Sequence, residues 1–290
     1  MLKYMKPLIT ALFILALSSN MLFAKDEVIY EKQDSLIFEK YKLYIEPFMN
    51  SSTETLLDKT AIFFLDTPYV AHTLEVLKDE KLVVNLREFD CTTFVESVLA
   101  LVCTIKAGEE PTFENFTNQL KRIRYRNGIL TDYSSRLHYT SDWVADNEQK
   151  GLVKNMSEWL GGLKESKTIN FMSSHRKLYV QLKDDDVMLH KIKLIESEIN
   201  KRGGFWYLPK QKIAKKNDVI PHMAVIAFTT SIDGLDVTHM GFAFRKKGNL
   251  TIIHASSLKE KVVIDNKSLA EYCEGQTSCT GVMVLDSNIH

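Results

Sequence analysis

Apolar positions keep a helical spacing as far as about Ile199 and switch, after Lys216, to the shorter period of strands. Leu36, Phe38, Tyr41, Tyr44 and Ile45 form a first helical stripe, interrupted by Pro47. Ser52 or Thr53 can cap a second helix carrying Leu56, Leu57, Ala61 and Phe64, and Pro68 stops it by disfavouring helix at Thr67. Residues 74–82 look amphipathic, and residues 83–86 read as a short extended piece. Phe94, Val95, Val98, Leu101 and Val102 then mark a helix that opens at Asp90-Cys91-Thr92-Thr93 and ends at Gly108-Glu109-Glu110-Pro111. The next helix runs through Phe113, Phe116, Leu120 and Ile123. Residues 125–146 have no clean period and are crowded with arginine, tyrosine, histidine and tryptophan. Residues 152–160 and 186–199 return to a helical pattern, and residues 202–209 read as a linker with three consecutive aromatics.

Strands are expected over residues 219–229, 236–245, 250–255, 261–264 and 281–285, separated by turns such as Ile232-Asp233-Gly234 and Lys247-Gly248-Asn249. Their tight connections favour hairpins, hence an antiparallel sheet. Helices first and strands afterwards predict an α+β fold. The sequence has no internal repeat and no low-complexity tract.

The N-terminus changes the picture of where the protein works. Lys3 and Lys6 precede an apolar run from Leu8 to Leu17, and Ala24 comes just before the charged Lys25-Asp26-Glu27. This pattern predicts a secretory signal over residues 1–24, cleaved after Ala24, and an exported protein. The apolar run is too short to span a bilayer, so no stable membrane insertion is expected after cleavage. Roughly 266 residues then remain, ample for a buried core. Lysine plus arginine equals aspartate plus glutamate at 37 each, without a basic tail, which argues against nucleic acid as a partner.

Four cysteines in an exported chain invite pairing. Cys91 and Cys103 fall on one predicted helix about 18 Å of rise apart, too far to bridge. Cys273 and Cys279 bracket a short loop able to close as a local disulfide. Cys103 reads as a buried thiol. No CxxC, HExxH or tight Cys/His cluster points to a metal, and no cofactor is expected.

Cys91 stands in the first turn of its helix behind the N-cap Asp90, where unpaired N–H groups favour a thiolate. The competing reading is a small buried hydrophobe. His239 lies on the small-residue face of its strand with Val237, Gly241 and Ala243, and His254 shares a face with Leu250 and Ile252. Each histidine taken singly also fits a satisfied core position. Together the three make a nucleophile, a base and an orienter: Cys91 attacks a carbonyl, His239 moves the proton, and His254 holds the ring.

The helix start Asp90-Cys91-Thr92-Thr93-Phe94-Val95-Glu96, followed by His239-Met240-Gly241-Phe242-Ala243 and Ile252-Ile253-His254-Ala255-Ser256-Ser257, resembles the NlpC/P60 superfamily of papain-like cell-wall hydrolases. It is most similar to that superfamily's N-acetylmuramoyl-L-alanine amidase-like branch, and Thr67-Pro68-Tyr69, Tyr125-Arg126-Asn127-Gly128, Ser135-Arg136-Leu137-His138-Tyr139 and Asp142-Trp143 extend the likeness. Lys216-Asn217-Asp218-Val219 departs from the family's usual Gly-Asp-Ile strand entry. The resemblance implies one NlpC-type domain over residues 25–290 with helical N-terminal and mid-chain additions, its cysteine helix packed on the C-terminal sheet. It implies Cys91, His239 and His254 as the triad, muropeptides as substrate and the periplasm as the place. Amidase members cut between the lactyl carbonyl of N-acetylmuramic acid and L-alanine. Other relatives cut D-glutamyl to diamino-acid bonds, and a silent wall-binding protein is the remaining alternative. Tyr69, Arg136, His138, Tyr139, Asp142 and Trp143 are the expected recognition residues, with Arg136 meeting a stem carboxylate.

Overall fold

The computed structural model describes residues 28–75, 78–287 and 289, so the predicted signal, residues 1–24, lies outside the described residues. The helices are α1 (Lys32–Ile45), α2 (Thr53–Phe63), α3 (Cys91–Lys106), α4 (Phe113–Arg124), α5 (Thr140–Gln149), α6 (Phe171–Ser174), α7 (Asp186–Lys201), α8 (Lys210–Ile213) and α9 (Leu269–Glu274). The strands are β1 (Val28–Ile29), β2 (Leu82–Val83), β3 (Val153–Asn155), β4 (Leu163–Glu165), β5 (Phe205–Pro209), β6 (Val225–Thr230), β7 (Val237–Lys246), β8 (Asn249–Ser256), β9 (Lys261–Ile264) and β10 (Cys279–Ser287). Among the described residues no helix is long and apolar enough to cross a membrane.

The expected antiparallel sheet is present. Its order is β4-β5-β10-β6-β7-β8-β9, with β3 also on β10. Both faces are covered. Val225, Ala227, Met240, Phe242 and Ile253 look toward the core shared with α1 to α4. Ile226, Phe228, Ala243 and Ile252 look the other way, onto Ile213 of α8 and Leu269 of α9. Alternate residues of one strand thus enter two different cores.

The start of α3 is fixed by reciprocal caps. Asp90 Oδ1 accepts the Thr93 N–H at 2.8 Å, and the Asp90 N–H donates to Thr93 Oγ1 at 2.9 Å. From Thr93 to Ile105 every residue of the helix is buried, as expected of a helix apolar on nearly all sides. Glu96 is tolerated there because Arg124 donates to it at 2.6 Å and also reaches the Val83 carbonyl. Phe64, Phe89, Phe94 and Phe242 stack edge-on in succession, centroids 5.0, 5.8 and 5.9 Å apart, tying α2 and α3 to β7. Each such pair adds about 0.5–1.5 kcal/mol beyond its buried area.

Four stretches differ from expectation. Among the described residues of 74–82 no helix forms where the pattern looks amphipathic; Glu75 and Glu80 turn their carboxylates to Arg136 instead. Residues 140–149 form α5, whose inward face holds Asp142, Asp146 and Asn147 beside Trp143 and Val144, so hydrophobic period alone hides it. Residues 152–160 give β3 and a turn, and residues 205–209 give β5; both lie along the edge of β10, which supplies their backbone partners. A smaller core of Tyr133, Tyr139, Ile169, Met172, Leu182, Ile192 and Ile199 gathers around α7.

Candidate active site

The sheet opens where the functional candidates meet. β7 and β8 pair from Lys246↔Asn249 to Phe242↔Ile253. Past that point β7 stays on β6 through His239, while β8 stays on β9 through Ser256. The N-terminal end of α3 stands at this divergence. Backbone N–H groups alternate direction along an antiparallel strand. The Ala243 N–H points to β6, reaching the Ala224 carbonyl at 2.8 Å, so the Met240 N–H points to the side that β8 has left. It donates to the Cys91 sulfur instead. The nucleophile candidate is therefore held by the residue next to His239.

Burial, then the adjacent Asp90 carboxylate, push the Cys91 thiol up to about 11, against the pull of the Met240 N–H, the Thr92 hydroxyl and its own N–H. This corrects the expectation of a thiolate. The helix-terminal donors are present, but desolvation and a like charge outweigh them. Tyr69 and Tyr272 both lie close enough to feel a charge on Cys91, and burial is the larger cause of their raised titration.

His239 Nε2 and His254 Nδ1 are 2.6 Å apart, with ring planes nearly perpendicular. Gly241 makes this possible. A Cβ there would come within 2.8 Å of His254 Cβ, Ile252 Cδ1 and the Ile253 carbonyl. Burial holds His239 down at about 3, with His254 adding to the effect, and holds His254 at about 4 against the opposing influence of Asp265. Both rings are neutral near pH 7. His254 is fully buried, its Nε2 lacks a hydrogen-bond partner, and Asp265 Oδ2 stands 3.8 Å from that nitrogen. Tyr272 packs on both rings at 6.0 and 5.2 Å, and the next residue, Cys273, is bridged to Cys279 as expected. Cys91 and Cys103 are free.

A cleft of about 870 Å³ runs along this wall, lined by His239, Ser257, Lys259, Asp265, Lys267 and Tyr272 among others. Neither lysine nor Asp265 was singled out from sequence. Their only signal is a polar turn after a predicted strand, and which strand that turn folds against is set by tertiary structure.

Most of the expected recognition residues are placed elsewhere. Tyr69 is half-buried beside Cys91. Arg136 is buried, paired to Glu75 at 2.8 Å and Glu80 at 3.3 Å, and lies over the Tyr133 ring. Asp142 is buried between Arg126 and Arg202, each at 2.6 Å. Tyr139 is buried with its hydroxyl donating to Glu196 at 2.8 Å, and Trp143 belongs to the main core. In this structure the polar groups of Arg136, Tyr139 and Asp142 are engaged internally, and the Trp143 ring packs in the main core. His138 is half-buried, with Nε2 2.7 Å from the Tyr133 carbonyl.

Comparison with known proteins follows the same lines. The family described as N-acetylmuramoyl-L-alanine amidase-like matches residues 59–281. Among solved structures, an N-acetylmuramoyl-L-alanine amidase from Bacteroides uniformis is 39% identical with a TM-score of 0.75, the match covering 80% of this chain and 98% of that one. A protein from Bacteroides fragilis described as a putative xylanase is 38% identical with a TM-score of 0.73, over 78% of this chain and 98% of that one. A Legionella pneumophila protein shares the fold, with a TM-score of 0.66 at 22% identity over 88% and 97% of the two chains. A search of curated proteins gave no match.

Proposed function

The chain belongs to the N-acetylmuramoyl-L-alanine amidase-like family, and from that premise we propose that it is an exported, papain-like cysteine hydrolase of the NlpC/P60 type, cutting the bond between the muramoyl lactyl carbonyl and L-alanine in peptidoglycan fragments. The observation that carries this reading is the opening between β7 and β8, which sets Cys91 against the Met240 N–H, one residue from His239.

Each step then has a residue. His239 Nδ1 accepts the Cys91 proton as the sulfur bonds to the lactyl carbonyl carbon. The carbonyl oxygen takes the electron pair and is met by backbone N–H groups at the helix start, that of Cys91 among them. The intermediate collapses, the C–N bond breaks, and His239 passes the proton to the leaving L-alanine amine. The muramoyl thioester is then hydrolysed by water activated through the same imidazole. The raised thiol and lowered imidazole argue for a neutral pair at rest, with proton transfer accompanying attack.

Glycoside cleavage, as the description of the B. fragilis neighbour suggests for that protein, requires two carboxyl groups flanking the bond. Among the described residues lining the cleft, Asp265 is the lone carboxylate, and it is turned to His254.

Acid quenching during turnover of a muramoyl tetrapeptide tests the proposal. A muramoyl adduct on the Cys91 peptide is expected. An adduct retaining L-alanyl-D-glutamyl assigns the chain to the endopeptidases, and an enzyme that turns over without any adduct at Cys91 overturns the cysteine reading.

A further inference from the structure

Two neutral imidazoles joined nitrogen to nitrogen share one hydrogen, and its placement decides whether His239 can act as a base. If His239 Nε2 carries it and donates to His254 Nδ1, then His239 Nδ1 is an open lone pair, able to act as a base. If His254 Nδ1 carries it, His239 must hold its own proton on Nδ1 and has nothing with which to accept the thiol hydrogen. The 2.6 Å contact alone fits both arrangements.

The deciding group lies on the far side of His254. Its Nε2 is the buried nitrogen that lacks a partner, and Asp265 Oδ2 stands 3.8 Å away. That separation is too long for a hydrogen bond. It is short enough for the carboxylate to favour an N–H over a lone pair at Nε2, because burial weakens screening by water. Asp265 is fixed for the purpose. Its Oδ1 accepts the Lys267 N–H at 2.8 Å, closing a turn that the backbone continues through the Asp265 N–H to the Ile252 carbonyl at 2.9 Å. Thr251 Oγ1 donates to the Asp265 carbonyl at 2.9 Å from β8, the strand that carries His254. One oxygen holds the turn and the other is left for the ring.

We infer that Asp265 is a positioning residue that selects the tautomers of both histidines: with its carboxylate at His254 Nε2, both rings carry their proton on Nε2 and His239 presents a bare Nδ1. This rests on His239 as the base. It adds a fourth member to the expected three and gives His254 its direction.

The sharp test is a one-atom change. Asp265→Asn keeps the shape and, with its Oδ1 still accepting from Lys267, turns an NH₂ group toward His254 Nε2. A donor then faces the nitrogen that was an N–H, and the relay inverts, as happens when an acceptor carboxylate behind a general-base histidine becomes an amide. Nitrogen-15 NMR of histidine-labelled full chain reads the tautomers without substrate. Wild type is expected to show both His239 and His254 protonated on Nε2, and Asp265→Asn both on Nδ1. With muramoyl tetrapeptide as probe, kcat should fall on the order of 10²-fold in the variant, with KM within about twofold. A wild-type His239 protonated on Nδ1 overturns the inference, as does an Asp265→Asn protein with unchanged tautomers or unchanged kcat. Cys91→Ala activity equal to wild type instead sinks the enzymatic reading, and the tautomer spectra are independent of that result.

Discussion

A cysteine at a helix N-terminus invites the assumption of an acidic thiol, and at Cys91 the surroundings reverse it. Three donors pull the titration down; burial and Asp90 push it further up, to about 11. Alkylation of Cys91 by iodoacetamide should therefore accelerate by about tenfold per pH unit between roughly pH 7 and 10, since only the thiolate reacts. Asp90→Asn keeps a good N-cap while removing the charge. At fixed pH it should raise the rate roughly three- to tenfold, as expected from losing one adjacent like charge. A rate flat above pH 7 would mean that the thiolate is already formed. At this scale the sequence was informative about identity and silent about environment. Capping and alternation make Cys91, His239 and His254 candidates, each with a core reading beside it. Asp265 does not, because its value comes from reaching a histidine on another strand.

The elements add what single residues lack. A capped helix end, a strand that leaves its neighbour and a glycine at the parting point together make the candidate site. Gly241 is the tightest part of that device. A methyl group there meets His254 Cβ, Ile252 Cδ1 and the Ile253 carbonyl at 2.8 Å, and of these only the buried Ile252 Cδ1 is the end of a side chain. Gly241→Ala should cost about 1–3 kcal/mol of stability, as overpacking does. It should also depress kcat more than stability loss explains, because the His254 ring is displaced from His239. Urea denaturation and steady-state kinetics on the same preparation check both; a stable variant with unchanged kcat would show that the close packing is unimportant. Helix α3 and strands β6 to β10 were legible because their hydrophobic periods are clean, whereas β3, β4 and β5 were not. Helix α5 was not, since its inward face is largely polar: Asp142 is satisfied by Arg126 and Arg202, the latter from the end of α7. A run of arginine, tyrosine and aspartate looks the same in sequence whether it faces a ligand or other parts of its own fold.

At the scale of the whole molecule, a two-faced sheet carries the candidate site between its cores. Helices α1 to α4 press the Cys91 end against one face, while α9 with its disulfide holds Tyr272 on the histidines from the other. The α+β order was readable from the change of period after Lys216. The smaller core around α7 was not, because its members come from scattered loops such as Tyr133, Ile169 and Leu182. Export is part of the proposed role: protein recovered from the periplasm should have the intact mass of a chain starting at Lys25, and a full-length cytoplasmic species would contradict it. The central claim is that Cys91 opens the muramoyl–L-alanine bond, and the products of one defined muramoyl tetrapeptide test it most directly by mass spectrometry. Wild type should release the free muramic sugar and an intact tetrapeptide with a new L-alanine amine, and Cys91→Ala should be slower by orders of magnitude. A sugar–L-alanyl–D-glutamyl product, or a Cys91→Ala protein as fast as wild type, would contradict the account.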